Sequence, residues 1–404
     1  MITQADIEKL VLLDDPKRLL GKFTGDKGPN VIFFGAIHGN EPAGVIAIQK
    51  VLRQLHKKEI PFKGRLIGIC GHLEALKQGK RYLAKDLNRI WYGHPEHYIT
   101  YGDVPEYNEK KEILDQMLEQ IDPNEPTILF DLHTTSAKSI PFVSISDTLK
   151  NRSLISGLPA PLILGLEEQM DGPMFSFFSE LGIPAVLFEA GQHQAGSSVK
   201  NSEAFIWMSL IKCGCLEPDH VPNRQEHYRY LRSQYTITQP VFQLKHTYLI
   251  APDENFKMKP GYVNFQRVEA GEVLGYNQNG QVSTPIGGLI FMPLYQSLGK
   301  EGFFIIKRVK PVWIRASRNL RQVRADRMFH WFPGVQKAHY LKDGFIINRK
   351  KAWRRTLDIF HLMGYRRVQK LGPFFEVSRR PYDKKMPIPQ LVYQRLKDYR
   401  NSLP

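Results

Sequence analysis

The sequence predicts an α/β fold: a mixed sheet flanked by helices, followed by a small β domain and a basic C-terminal extension. Three observations predict it. Residues 30 to 215 alternate short apolar runs (NVIFFGA, RLIGICG, TILFDLH, PFVSIS, APLILGL, PAVLFEAG) with longer segments of helical spacing such as AGVIAIQKVLRQLHKK, the rhythm of strands joined by helices. From about residue 230 the texture changes to short strand-like pieces, YTITQPVFQL, YVNFQRV, EVLGY and GGLIFMPLY, broken by Gly, Pro and the turn signal NQNGQ. Residues 307 to 404 then hold 25 Lys+Arg against 6 Asp+Glu, a net of +19 in a chain whose total is +16, which leaves −3 for the first 306 residues. Such a charge asymmetry marks a module boundary near Lys310-Pro311. The expected division is an α/β domain over 1–225, a small β domain over 226–310 and a basic extension over 311–404.

The elements follow in order. The opening MITQADIEKLVLLDDPKRLL carries acids where an export leader would be basic, and no run approaches the roughly 18 apolar residues of a membrane span. Cys70, Cys213 and Cys215 are odd in number and sit in apolar segments, which predicts buried thiols and a cytoplasmic location rather than a disulfide framework. VIFFGA reads as a central strand, Gly39-Asn40 as a turn, and Pro42 as the first residue of a helix. His38 and Glu41 are thereby placed at a strand's carboxyl end, where open α/β sheets put their sites.

A second strand, TILFDLH, ends in His133 with Thr134 and Thr135 following, and a third, PAVLFEAGQH, ends in Glu189. Parallel pairing would bring these ends together. Two imidazoles and one carboxylate make a catalytic zinc shell with a position left for water, and Glu189 would be free to move that water's proton to a leaving amine. Asp131, two residues before His133, is a candidate to orient its ring. Between the first two strands lies GHLEALKQGKRYLAKDLNRIW, in which Arg81, Asn88 and Arg89 offer planar donors for a carboxylate or an oxyanion. His72, His94 and His97 read as structural or solvent-facing, His193 and Gln194 as shaping the loop after Glu189. Near the end, NRKKAWRRTLDIFHLMGYRRVQK reads as a helix with Trp353, Leu357, Phe360 and Met363 along one stripe.

GAIHGNEPAG, then Arg81-Tyr82, DLNRIW, DLHTT and FEAGQH, in that order, resemble the succinylglutamate desuccinylase/aspartoacylase family of zinc-dependent deacylases, relatives of the zinc carboxypeptidases. The resemblance covers roughly residues 20 to 310. It implies a zinc-carboxypeptidase-like sheet, one Zn2+ per chain on His38, Glu41 and His133, and Glu189 as general base and acid. It further implies that Arg81 fixes a substrate carboxylate, that Asn88 and Arg89 line the amino-acid side, and that Tyr295 in FMPLYQS reaches the substrate from the small β domain. The family usually has Asn-Pro where this chain has His72-Leu73, and the segment after 310 has no place in the family core.

The expected activity is hydrolysis of the amide bond of an N-acyl amino acid by a cytoplasmic zinc enzyme. A zinc carboxypeptidase acting on short peptides would need the same shell. A different class of reading is a binding protein that keeps the fold and turns residues 311–404, with Trp353, Phe360 and Tyr365 among Lys and Arg, toward nucleic acid or an anionic membrane.

Overall fold

Successive side chains of a strand point to opposite faces, so a run that is apolar at every position has to be covered on both. Val31 to Phe34 is such a run. In the computed structural model, which describes residues 16–92, 104–170, 172–233, 240–296, 298–341 and 343–403, it forms the inner part of a strand buried on both sides. His94 and His97 lie outside the described residues.

The first eight strands are β1 (Leu19–Thr24), β2 (Asp26–Gly35), β3 (Lys63–Cys70), β4 (Thr127–Thr135), β5 (Phe142–Ile145), β6 (Leu162–Leu164), β7 (Ala185–Gln192) and β8 (Val241–Leu249). They are followed by β9 (Lys257–Met258), β10 (Arg267–Val268), β11 (Val273–Asn277), β12 (Gly280–Ser283), β13 (Gly288–Phe291) and β14 (Glu301–Arg308). One eleven-stranded mixed sheet runs β1-β3-β2-β4-β7-β5-β6-β8-β14-β13-β10. Its centre is parallel, with β2 beside β3 and β4, and β4 beside β7. Strands β8, β14, β13 and β10 continue the same sheet, so part of the later β-rich region is an extension of the first sheet, while β12-β11-β9 forms a separate small sheet.

Helices cover both faces. Val31, Phe33 and Phe130 meet helices Ala43–Lys58 and Gly196–Lys212 on one side, while Ile32 and Phe34 meet helices Pro105–Gln120 and Met174–Leu181 on the other. The first helix closes tightly on the strand ends. A side chain on Gly44 would come within 2.8 Å of the Leu132 Cβ, and one on Gly39 within 2.1 Å of the Ala75 carbonyl carbon. Glycine at these two places is what lets the loop bearing His38 and Glu41 nest between strands.

The segment after Lys310 folds into helix Pro311–Gln322, a four-stranded sheet β15-β16-β18-β17 (Val335–Ala338, Gly344–Asn348, Phe374–Ser378, Arg367–Leu371) and a last helix, Pro389–Ser402. That last helix returns to the first core: Val392, Leu396 and Leu403 pack with Phe177 and Trp91, and the Tyr399 hydroxyl donates to the Trp91 carbonyl at 2.8 Å. The expected helix over residues 348–370 is shorter, Thr356–Leu362. Gly364 follows with φ +88°, a left-handed turn that ends it, and Arg367–Leu371 pairs as a strand instead. Leu357, Phe360 and Met363 still pack inward; Trp353 is exposed.

Three arginines of this segment, Arg321, Arg366 and Arg380, are buried, while most of its other described Lys and Arg are exposed. Asp147, buried in the α/β part, is held by its neighbour Arg152 at 2.5 Å, by Arg321 at 3.0 Å and by Arg366 at 3.7 Å. Burial works against that carboxylate, and the three guanidiniums overrule it and hold its pKa far below the usual range. Arg321 also meets Asp383 at 3.2 Å, and Arg366 pairs with Glu168. No helix among the described residues is long and apolar enough to cross a membrane.

Candidate active site

The carboxyl ends of β2, β4 and β7 converge because the three strands are parallel neighbours, and the register sets His133 directly opposite Glu189. His38 and Glu41 follow β2 in the loop before helix Ala43–Lys58, which Pro42 caps rather than begins. Glu41 is the hub. Its Oε1 lies 2.8 Å from His38 Nδ1, its Oε2 lies 3.1 Å from His133 Nδ1, and the Thr134 N–H donates to Oε2 at 2.8 Å. All four residues, His38, Glu41, His133 and Glu189, are buried.

Each imidazole shows its other nitrogen to an acid. His38 Nε2 is 3.1 Å from Asp86 Oδ1, and His133 Nε2 is 2.9 Å from Asp131 Oδ2. Such partners orient a metal-binding ring and raise its basicity. Asp131 is thus where the strand alternation put it. Asp86 escaped the sequence reading: it is one acid in a mixed-charge loop, and only its spacing before Asn88-Arg89 hinted at a role. It also accepts from Arg81 Nη2 at 3.0 Å and from the Asn88 N–H at 2.9 Å, so one carboxylate ties a histidine, an arginine and a turn together.

The electrostatics follow from burial and pairing. Burial opposes charge on Glu41, but His38 and His133 outweigh it and hold the carboxyl well below the usual range. Burial likewise opposes charge on His133, and Asp131 and Glu41 overrule it, raising the ring's pKa. Glu189 goes the other way: burial pushes it well up, with His133 opposing and Glu41 adding repulsion. Its Oε2 is buried without a hydrogen-bond partner. One donor atom from each of His38, Glu41 and His133 lies within 4.8 Å of the others, and no other trio of His, Cys, Asp or Glu among the described residues converges in this way. Two Nδ1 atoms aimed at one carboxylate suit a small divalent cation standing among them.

The cavity above this cluster, about 560 Å³, is lined by Arg81, Lys85, Asn88 and Arg89 on one side and by Leu166, Met170, Met292 and Phe304 on another. Arg81 folds back on Asp86 and lies 3.6 Å from Glu41. Asn88 accepts the Met174 N–H at 2.8 Å, and Arg89 lies 3.7 Å from Glu301 of β14. His193 joins the lining, its Nδ1 2.7 Å from the Thr134 hydroxyl, with burial lowering its pKa. Tyr295 is not brought to the cavity. Its hydroxyl accepts from the Tyr262 N–H at 2.9 Å and lies 3.0 Å from the Lys259 carbonyl, within the small β region.

Of the structural and solvent-facing roles expected of it, His72 takes the structural one. It is fully buried, with Nε2 3.1 Å from Glu106 Oε1 and Nδ1 3.2 Å from Glu109 Oε1. Glu106 Oε1 in turn accepts the Leu83 and Ala84 N–H groups at 2.8 and 2.9 Å. The loop carrying Arg81 and Asp86 is therefore clamped from beneath by a buried histidine and two glutamates. Burial opposes charge on all three, but hydrogen bonding raises His72 and lowers Glu106 and Glu109 to about 2.

Residues 27–204 match the succinylglutamate desuccinylase/aspartoacylase catalytic domain. Succinylglutamate desuccinylase of Yersinia enterocolitica is 31% identical over 108 residues, 26% of this chain and 32% of that protein; that of Pseudomonas fluorescens is 32% identical over 111 residues, 27% and 32%. The chain thus spans about a third of the length of these curated relatives. Among solved structures, a succinylglutamate desuccinylase/aspartoacylase from Rhodobacter sphaeroides aligns with TM-score 0.54 at 18% identity, covering 72% of this chain and 88% of that one. Succinylglutamate desuccinylase from Vibrio cholerae aligns with TM-score 0.52 at 17% identity, covering 75% and 94%. The product-bound ectoine utilization protein EutE (DoeB) of Ruegeria pomeroyi aligns with TM-score 0.51 at 19% identity, covering 71% and 87%; at such identities the likeness is one of fold. Residues 27–204 are thus similar in sequence to the catalytic domain of the succinylglutamate desuccinylase/aspartoacylase family.

Proposed function

We propose that this protein is a zinc-dependent hydrolase that cleaves the amide bond of an N-acyl amino acid. The observation that carries the reading is the pair of Nδ1 atoms converging on Glu41, with the unpaired Oε2 of Glu189 buried on the neighbouring strand. Zinc held by His38, Glu41 and His133 would polarise the acyl carbonyl and bring a water's pKa to about 7.

The chain's own groups supply the rest. Glu189 takes the attacking water's proton on Oε2 and returns it to the departing amine. Burial and the absence of a partner on Oε2 leave that oxygen available for both transfers. Arg81, beside Glu41 and Asp86, is the nearest fork of donors for the negative charge that develops on the acyl oxygen. Asp86 keeps the His38 imidazole from turning, and the Asp131 carboxylate lies 2.9 Å from His133 Nε2. Asn88, Arg89 and Lys85 line the side on which a substrate carboxylate would rest.

The test is a panel of N-acetyl and N-succinyl amino acids against short unblocked peptides, assayed on zinc-loaded protein. Turnover of the acylated amino acids is expected. Cleavage confined to peptides would assign a carboxypeptidase instead, and no turnover of either class would reject the reading.

A further inference from the structure

The 3₁₀ helix Ala325–Trp331 turns every three residues, so side chains three apart share a face. Asp326 and Phe329 point inward: Phe329 stacks on Phe360 with ring centroids 3.9 Å apart, and Asp326 accepts from the Tyr365 hydroxyl at 3.0 Å. Met328 and Trp331 lie along a second face and are left 51% and 69% exposed. Arg327 and His330 share the third face and are exposed as well. An apolar face and a basic face therefore run side by side toward solvent.

A second basic stretch lies against the first. The Asn348 N–H donates to the Gly334 carbonyl at 2.8 Å, and the rings of Phe332 and Trp353 are 5.0 Å apart, which seats residues 349–355 beside the end of the 3₁₀ helix. These residues read RKKAWRR; all five Lys and Arg are exposed, and Trp353 is 57% exposed. From residue 311 to 375 the acids are Asp326, Asp343 and Asp358 alone, and Asp326 is taken up by Arg379 at 3.3 Å. Among the described residues, the salt bridges of the C-terminal segment go to other arginines, and Arg324, Arg327 and the five cations of RKKAWRR have none.

Unmatched cations beside exposed indole and thioether side chains suit a surface that is anionic on top and apolar beneath. Tryptophan settles at the level of lipid headgroups, and Lys and Arg are drawn to anionic lipids. A single strand of nucleic acid would use the cations and the indoles. It would give Met328 and the nearby Val323, 73% exposed, no apolar layer to enter. A second copy of this chain presenting the same patch would meet its own positive charge.

We propose that residues 323–331 and 349–355 form a docking surface for an anionic lipid bilayer, with Met328 and Trp331 in the headgroup layer and the cations on lipid phosphates. The surface shares no residue with the catalytic cavity, and its assignment does not rest on the deacylase reading.

Co-sedimentation of the full-length protein with vesicles tests it, using phosphatidylcholine alone and phosphatidylcholine mixed equally with phosphatidylglycerol. Wild type is expected to bind the mixed vesicles and not the neutral ones, and to be released as salt rises from about 0.05 to about 0.5 M. Lys350→Glu/Lys351→Glu should weaken binding at least about tenfold, since each cation close to such a surface is worth roughly fivefold. Trp331→Ser should weaken it about threefold or more by removing the side chain that enters the interface. Both changes are at exposed side chains, so the variants are expected to melt with wild type. No binding to the mixed vesicles, undiminished binding by Lys350→Glu/Lys351→Glu, or undiminished binding by Trp331→Ser would each overturn the docking surface. So would tighter binding of polyuridylate than of the mixed vesicles, which would assign the patch to single-stranded nucleic acid.

Discussion

The two sides of the catalytic cavity are built in different ways. On one side His133 and Glu189 sit on adjacent parallel strands, and His38 and Glu41 follow a third, so backbone pairing sets their spacing. On the other, Arg81, Asp86, Asn88 and Arg89 lie on a loop and a single short turn, and what holds them is a set of polar contacts: the buried side chains of His72, Glu106 and Glu109 beneath, and the Met174 backbone N–H and the Glu301 carboxylate beside. The strand side is rigid by architecture. The loop side is rigid only while its buried charges stay paired, so perturbations should separate the two: damage to the first removes chemistry, and damage to the second loosens substrate binding.

The largest effect should come from His133→Ala, which removes one of three ligands; elemental analysis is expected to fall from one zinc per chain to near none, with activity lost. A triple variant lacking His38, Glu41 and His133 that still carried stoichiometric zinc would refute the site. Next is Glu189→Gln, for which turnover should drop by about 10² to 10⁴ while zinc content stays at one, because a positioned acid/base is removed and no ligand is touched.

A smaller, differently shaped effect is expected on the loop side. Glu106→Gln weakens the acceptor of two backbone N–H groups, a loss on the order of 1–3 kcal/mol if one is left unsatisfied. KM for carboxylate-bearing substrates should rise about tenfold with zinc unchanged. An equal fall in zinc content would erase the distinction between the two sides.

The same clamp gives a pH dependence. Glu106 and Glu109 are held near 2, below their ordinary 4.5, so their contribution is full above about pH 4.5 and is lost as pH falls toward 2. His72 is shifted upward, so its contribution is present below its ordinary 6.5 and fades as pH rises through its folded value. Amide protection factors across residues 79–92 should therefore fall on the acid side before those of β2 and β4 do. Smallest of all is Tyr295→Phe, expected to change kcat and KM by less than about twofold, since the hydroxyl is engaged with the Tyr262 and Lys259 backbone. A larger loss would show that the small β region moves Tyr295 onto the substrate.

The same division decided what could be read from the sequence. A polar residue at the end of an apolar run stands out, and parallel pairing is the common arrangement of such runs, so the convergence of His38, Glu41, His133 and Glu189 was open to inference. Asp86 and His72 were not, because their meaning depends on partners 48 and 34 residues away. Nor was the fate of the late arginines: a run of positive charge looks alike whether it faces solvent or Asp147. The helix over-extended across Gly364 shows a further limit, since a sheet partner ten residues on outbid the helical spacing.

Asp147 also bears on how the molecule comes into being. Two of its three arginines, Arg321 and Arg366, lie in the last quarter of the chain, as do the partners of Glu168 and Glu180. Synthesis runs from the amino end, and domains generally fold as units as they emerge. A nascent chain stopped after residue 310 would hold these acids with most of their counter-charges still unmade, and removing one side of a buried pair is worth about 3–5 kcal/mol against the folded state. The first three quarters should then stay immature until the final arginines arrive, which makes completion of the polypeptide a condition for a settled active site.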